Sequence, residues 1–171
     1  MSPKSNKAVR PFSDEYLFAY SAEHVVYEID MFLWLVAVLG NSSTGLGASS
    51  PEDLARLHNI MIESCVLHLR NLIDFLYLDK PKPSDVIAAD FFRQNEWNSL
   101  RPTISAVLEA ARIRANKEMA HLTTDRIAGT TVEKAWNFID LAVEIKSLMR
   151  LFAENALSER ISPIIPSLLN R

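Results

Sequence analysis

Four stretches of the chain repeat apolar residues every three or four positions, which is the spacing of an amphipathic helix. None of them shows the strict alternation of apolar and polar residues that marks a half-buried strand. Most prolines and glycines fall between these stretches, where they favour turns. The pattern predicts an all-α, up-and-down four-helix bundle, with helices over about residues 14–39, 50–78, 102–122 and 130–158.

Capping signals mark the starts of two of these helices. Ser50 precedes Pro51, a residue suited to the first helical position, and Asp53 lies three residues beyond the cap. Thr130 and Glu133 form a capping box ahead of the fourth helix. These signals predict where the second and fourth helices begin.

The segments outside the four helices give further expectations. Residues 79–97 form a longer connection between the second and third helices, expected to be extended or to contain a short helical turn. The tail, residues 159–171, is apolar but interrupted by Pro163 and Pro166, so it is expected to pack in an extended form. Residues 1–12 are expected to be a flexible N-terminal segment.

Composition narrows the class of protein. Residues 1–171 suit one domain, and 49% hydrophobic with 23% charged residues is typical of a globular protein. The net charge of −3 argues against broad, non-specific binding of polyanions. The single cysteine, Cys65, excludes an internal disulfide and favours a cytoplasmic location. The start has no apolar signal segment, and the most apolar run, residues 31–40, is about half a membrane span, so no membrane contact is expected.

The third predicted helix carries a separate polar strip. Its apolar stripe consists of Ile104, Leu108, Ala111, Ala115, Met119 and Leu122, as expected at about 100° per residue. Farther round, a set expected to be solvated consists of Ser105, Glu109, Arg112 and Asn116. The strip on the other side consists of Arg114, Lys117, Glu118 and His121. It is either a solvated face of weak i,i+4 pairs or a site for phosphodiester chemistry.

The second alternative assigns each side chain a role. His121 could take a proton from a ribose 2′-hydroxyl or return one to the leaving oxygen. Arg114, two helical turns away, could bind the phosphate bidentately and stabilise the charge that develops on it. Lys117 would add positive potential, and Asn116 beside it is a further supporting or ligand-binding residue. The arrangement requires no metal or other cofactor.

These residues resemble a known family. A helical bundle in which four to six residues separate an arginine from a histidine is similar to the HEPN superfamily (higher eukaryotes and prokaryotes nucleotide-binding), and "RANKEMAH" has six residues between Arg114 and His121. "HLRNLIDFLY" (68–77) and "NKEMAHLT" also look similar to small bacterial members. Many active members have a polar residue directly after the arginine, where this chain has Ala115.

The resemblance implies a homodimer in which the two motifs meet at a cleft. It implies either a metal-independent endoribonuclease, with Arg114 and His121 catalytic, or a non-catalytic binding or assembly module. It also leaves open an antitoxin or another protein partner, as in toxin–antitoxin or phage-defence systems.

Other polar residues give weaker hypotheses. His68 and Asn71 are either a hydrogen-bonded pair at the core edge or a second polar group lining the cleft opposite His121. His24 and His58 are interpreted as structural or solvated. Only one Glu-x-x-His motif is present, whereas a di-metal bundle needs two.

We therefore expect a HEPN-like helical protein that binds RNA or another phosphate-bearing ligand and is a candidate metal-independent endoribonuclease. The main alternative is a non-catalytic, dimerising interaction module. A metal-binding helical bundle is the third.

Overall fold

A computed structural model describes residues 12–41, 50–94, 96–119 and 135–170. Every regular element in these four ranges is a helix, and the helices pack into a bundle. The prediction of an all-α bundle is confirmed. No helix within these ranges combines the length and apolar character needed to cross a membrane.

The first predicted helix is helical throughout but contains a wider turn. It consists of α1 (Asp14–Tyr20), a π-helical turn (Ser21–Val25) and α2 (Val26–Gly40). The buried Ser21 hydroxyl donates to the Phe18 carbonyl at 2.8 Å, within the π-helical turn region. Such turns re-aim the side chains that follow them.

The second predicted helix forms as its capping signals indicate. Helix α3 spans Pro51–Tyr77, and the Ser50 hydroxyl accepts from the Asp53 N–H at 3.1 Å. At its other end the Leu76 carbonyl accepts from the Trp97 indole at 2.9 Å and from the Arg101 guanidinium at 2.7 Å. Side chains therefore satisfy one of the unpaired N–H groups at the start of α3 and one of the unpaired carbonyls at its end.

The connection after α3 contains the expected short helical turns. A 3₁₀ turn covers Ala88–Phe91, and α4 covers Glu96–Leu100. Its aromatic residues, together with Phe75 of α3, pack around Phe152, with ring centroids 5.2–5.9 Å from that ring. The members of this cluster are Phe75, Phe91, Phe92, Trp97 and Phe152.

The third and fourth helices begin later than predicted. Helix α5 spans Ala106–Met119, because the Ser105 hydroxyl caps the Leu108 N–H at 3.1 Å and leaves Pro102 outside the helix. Helix α6 spans Phe138–Asn155, and residues 135–137 ahead of it are not helical. The prediction of a continuous helix over 130–158 is therefore wrong at 135–137 and at its end.

An asparagine sets the start of α6. The Asn137 side-chain oxygen accepts from the Asp140 N–H at 3.4 Å, and asparagine is a strong N-cap. The capping box predicted at Thr130 and Glu133 lies outside the described residues.

The C-terminal tail is helical, so the prediction of an extended tail is wrong. Helix α7 spans Ile164–Leu169, with Pro163 as its N-cap. Pro166 lies in the first turn, where a missing N–H costs no intrahelical hydrogen bond. The Ser162 N–H donates to the Ser21 hydroxyl at 2.8 Å, which joins this tail to the π-helical turn.

Candidate functional site

Arg114 on α5 is positioned by the residues just before α6. Its guanidinium carbon lies 4.0 Å from the centroid of the Trp136 ring, a cation–π contact. Its Nη1 donates to the Ala135 carbonyl oxygen at 3.2 Å. The guanidinium is therefore held against an aromatic surface and fixed in direction by a backbone acceptor.

A second ring extends this arrangement. Trp136 stacks on Phe138 with centroids 5.8 Å apart and ring planes 7° from parallel. Phe138 is buried and Trp136 is partly buried, so the stack is anchored in the core at the start of α6. We call Arg114, Trp136 and Phe138 the Arg114 platform.

The other residues of the predicted strip lie along α5. Lys117 is exposed, and Asn116 is partly buried. His121, the predicted acid–base residue, lies outside the described residues, as does the side chain of Glu118. The structure thus describes the predicted phosphate-binding residue and the surface it lies on.

The buried face of α5 agrees with the predicted apolar stripe where it is described. Leu108, Ala111 and Ala115 are all buried. Ala115 is 1% exposed, so a polar side chain at this position would need a buried hydrogen-bond partner. The packing of α5 therefore favours a small apolar residue at this position.

Arg112 differs from its predicted solvated state. Its Nε donates to Asp74 Oδ1 at 2.8 Å, and its side chain is 25% exposed. Arg70 also approaches Asp74, with Nε 3.8 Å from Oδ2. Arg112 faces α3 because α5 packs against α3 in the bundle, so it is a structural ion pair between two helices.

His68 and Asn71 both bind Glu28, a residue that the sequence interpretation did not single out. The ring Nδ1 of His68 lies 2.8 Å from Glu28 Oε2. Asn71 Nδ2 donates to both carboxylate oxygens of Glu28 at 3.2 Å. The contacts match the hydrogen-bonded arrangement at the core edge, and we call these three residues the Glu28 network.

Burial distinguishes the members of the Glu28 network. The His68 side chain is 7% exposed, whereas that of Glu28 is 26% exposed. The edge of the His68 ring also meets the Tyr27 ring, with centroids 5.5 Å apart. The carboxylate of Glu28 is therefore held from its buried side and reaches solvent on the other.

Glu28 and Asn71 line a cavity of about 430 Å³. Its walls come from α1, the π-helical turn, α2, α3 and residues 84–87, and no lining residue belongs to α5. Three of its lining side chains are carboxylates, on Glu28, Asp74 and Asp85. The predicted residues therefore separate into two places: Asn71 lines this cavity and His68 lies behind it on Glu28, whereas Arg114 lies on the platform.

Rings also line the cavity. The Tyr20 and His24 rings are in contact, with centroids 4.7 Å apart and planes tilted by 53°, and Phe75 lies on the α3 wall. Burial raises the pKa of the Tyr20 phenol, and the charges of Tyr16, Glu28 and Asp85 raise it further. The cavity therefore combines aromatic surface with the carboxylate of Glu28.

The remaining candidates for chemistry have simpler environments. Burial raises the pKa of the Cys65 thiol to about 12, so it is neutral at physiological pH. Across the described ranges, no three His, Cys, Asp or Glu side chains form a group that could hold a metal ion. His58 is exposed on α3.

Comparison with known proteins identifies no relative of this chain. No family model matches the chain, and neither a curated protein nor a solved structure matches it significantly.

Proposed function

We propose that the protein binds RNA through the Arg114 platform and acts as a HEPN-like, metal-independent endoribonuclease. The observation that carries the proposal is the Arg114 guanidinium, stacked on Trp136 at 4.0 Å and bonded to the Ala135 carbonyl. Stacking removes much of the rotational freedom that an arginine otherwise loses on binding a ligand. A guanidinium held in this way is prepared to bind a phosphate.

The neighbourhood of Arg114 suits RNA better than a small free anion. Lys117 lies nearly one turn further along α5 and adds positive charge on the same strip. The partly exposed Trp136 supplies aromatic surface, and proteins bind single-stranded RNA by combining basic side chains with aromatic rings. The net charge of −3 restricts such binding to this local surface.

The proposed reaction needs two groups and no metal. His121 accepts the proton of a 2′-hydroxyl, the 2′-oxygen bonds to phosphorus, and the bond from phosphorus to the 5′-oxygen breaks. The leaving 5′-oxygen receives a proton from an imidazolium, and the other product carries a 2′,3′-cyclic phosphate. Arg114 stabilises the charge on the phosphoryl oxygens during this step.

The test is cleavage of a labelled, mixed-sequence RNA in EDTA by wild type, Arg114→Ala and His121→Ala. Arg56→Ala is the matched control, because Arg56 is exposed on α3 and pairs with Asp53. We expect cleavage to a cyclic phosphate by wild type and Arg56→Ala, and at least 100-fold slower cleavage by the other two variants. Equal cleavage by all four proteins would show that Arg114 and His121 are not the active site. Absence of cleavage by wild type would contradict the proposed ribonuclease activity.

A dimerising interaction module is the second candidate, and an apolar face of α6 favours it. Ile139 and Val143 lie one turn apart and are 62% and 67% exposed. Adjacent exposed aliphatic side chains are typical of protein-binding surfaces. If this face joins two copies, Val143→Glu will convert a dimer to a monomer in analytical ultracentrifugation, whereas Glu144→Gln will not.

A further inference from the structure

The cavity beside the Glu28 network is separate from the Arg114 platform and has the opposite electrostatic character. Its volume of about 430 Å³ is within the range of small-molecule sites. The Glu28 carboxylate opposes the entry of a phosphate at its end of the cavity, and the described residues include no group suited to a metal ion. The chemistry of the walls therefore favours an organic cation.

Glu28 is the best-positioned acceptor in this cavity. His68 and Asn71 hold its carboxylate from the buried side, with one contact to Oε1 and two to Oε2. A carboxylate has about four acceptor positions, so Glu28 can accept a further hydrogen bond from a ligand. Its 26% exposure makes that acceptor reachable from the cavity.

The other walls fit an apolar group attached to the cation. Tyr20, His24 and Phe75 contribute rings, and Val25, Leu72 and Val86 contribute aliphatic surface. Aromatic rings also attract cations through their faces. An ammonium on a short arm bearing a ring or an alkyl chain would match both kinds of wall.

Nearby cations leave the Glu28 end of the cavity available to such a group. Arg112 and Arg70 are both directed at Asp74, one turn of α3 beyond Asn71. Their guanidinium groups lie 2.8 Å and 3.8 Å from the Asp74 carboxylate, so the negative charge of Asp74 is neutralised and Glu28 is the carboxylate that remains for a ligand. Asn71, by contrast, binds Glu28 through a neutral amide.

We propose that this cavity binds a small primary amine, with the ammonium donating to Glu28 and the attached apolar group packed against Tyr20 and Phe75. His68 and Asn71 are positioning residues that hold the carboxylate. The proposal does not rest on RNA binding by the Arg114 platform.

The experiment is isothermal titration of the full chain with phenethylamine, phenethyl alcohol and 3-phenylpropionate. These probes share a ring and a short arm and differ in carrying a cation, a neutral hydroxyl or an anion. We expect heat of binding from the amine alone. Equal binding of the amine and the alcohol, or no binding of the amine at millimolar concentration, would overturn the proposal.

Two variants locate the site. Glu28→Gln keeps the shape but removes the charge, and we expect the amine to bind at least tenfold more weakly. Ser84→Trp fills the cavity from an exposed lining position without changing any charge, and should abolish binding. Ser158→Trp is the control at an exposed position outside the cavity. If Glu28→Gln does not fold, Ser84→Trp decides the result, and unchanged binding by it would overturn the proposal.

Discussion

The Arg114 platform and the Glu28 network are two ways in which this bundle holds a charged side chain. Arg114 makes one hydrogen bond to a backbone carbonyl and lies on a ring. Glu28 receives three contacts from two side chains of another helix, and one of those side chains is almost fully buried. The platform orients a charge at the surface, whereas the network fixes a charge at the core edge.

This difference predicts which variants reduce the stability of the fold and which reduce ligand binding. Removing a partner of Glu28 leaves a carboxylate desolvated without its hydrogen bonds, which is costly for folding. Removing Arg114 exposes part of an indole ring and costs less. Variants of the network should therefore mainly affect stability, and variants of the platform should mainly affect binding.

The largest expected effect is the loss of stability in His68→Ala. The change deletes a buried ring, creates a cavity and removes a hydrogen bond from Glu28, so the free energy of unfolding should fall by about 2–4 kcal/mol. Urea denaturation measures it. His58→Ala, at an exposed position of the same helix, should change it by less than about 0.5 kcal/mol. Similar losses in both variants would contradict the described burial of His68.

Next in size is a loss of stability at high pH caused by Cys65. Burial raises the pKa of its thiol from 9.0 to about 12, so between these values the unfolded chain loses a proton that the native chain keeps. The contribution of the protonated thiol to the free energy of unfolding should therefore be fully present below pH 9. It should fall by up to about 1.4 kcal/mol per pH unit between pH 9 and about 12.

Cys65→Ala isolates this contribution. Urea denaturation from pH 8 to 11 should show a shallower decline in the variant, although the raised pKa values of Tyr20 and Tyr77 produce a decline in both proteins. Identical slopes in the two proteins would show that the thiol is not buried in solution.

A smaller effect on stability, with a clear effect on binding, is expected for Trp136→Ala. Loss of the cation–π contact should cost about 0.5–1 kcal/mol in unfolding free energy. RNA affinity, measured by fluorescence anisotropy, should fall as much as in Arg114→Ala, because the guanidinium loses its support. Trp34→Ala is the control, since Trp34 is exposed on α2. An unchanged RNA affinity in Trp136→Ala would show that the Trp136 ring is not part of the RNA-binding surface.

The smallest effect is expected for Asn116→Ala. Asn116 is partly buried on α5, and alanine favours helix, so the free energy of unfolding should change by less than about 0.5 kcal/mol. Thermal denaturation measures the change. A larger loss would indicate that Asn116 holds part of the platform.

The sequence predicted well those features that depend on neighbouring residues. Ser50 and Pro51 determine the start of α3 locally, and the apolar spacing of α5 gives its buried face. The helical tail was missed because Pro166 was read as a helix breaker, although it lies in a first turn. The start of α6 was missed because the prediction rested on the capping box at Thr130 and Glu133 and did not consider Asn137 as an N-cap.

The contacts that build both sites could not be predicted in the same way. Glu28 and His68 are 40 positions apart, and only the relative shift of α2 and α3 places them together. Trp136 meets Arg114 at residues 135–137, which are not helical although helical periodicity predicted a helix there. Periodicity identifies the face on which a residue lies, but the packing of helices selects its partner.

The most direct test of the Arg114 platform is the salt dependence of RNA affinity. Anisotropy titrations of a single-stranded 20-nucleotide RNA at 50–300 mM salt would compare wild type, Arg114→Ala and Arg56→Ala. If Arg114 binds one phosphate, the slope of log affinity against log salt should be smaller by about 0.7 in Arg114→Ala and unchanged in Arg56→Ala. Equal slopes in all three proteins, or no RNA binding by wild type, would contradict the account.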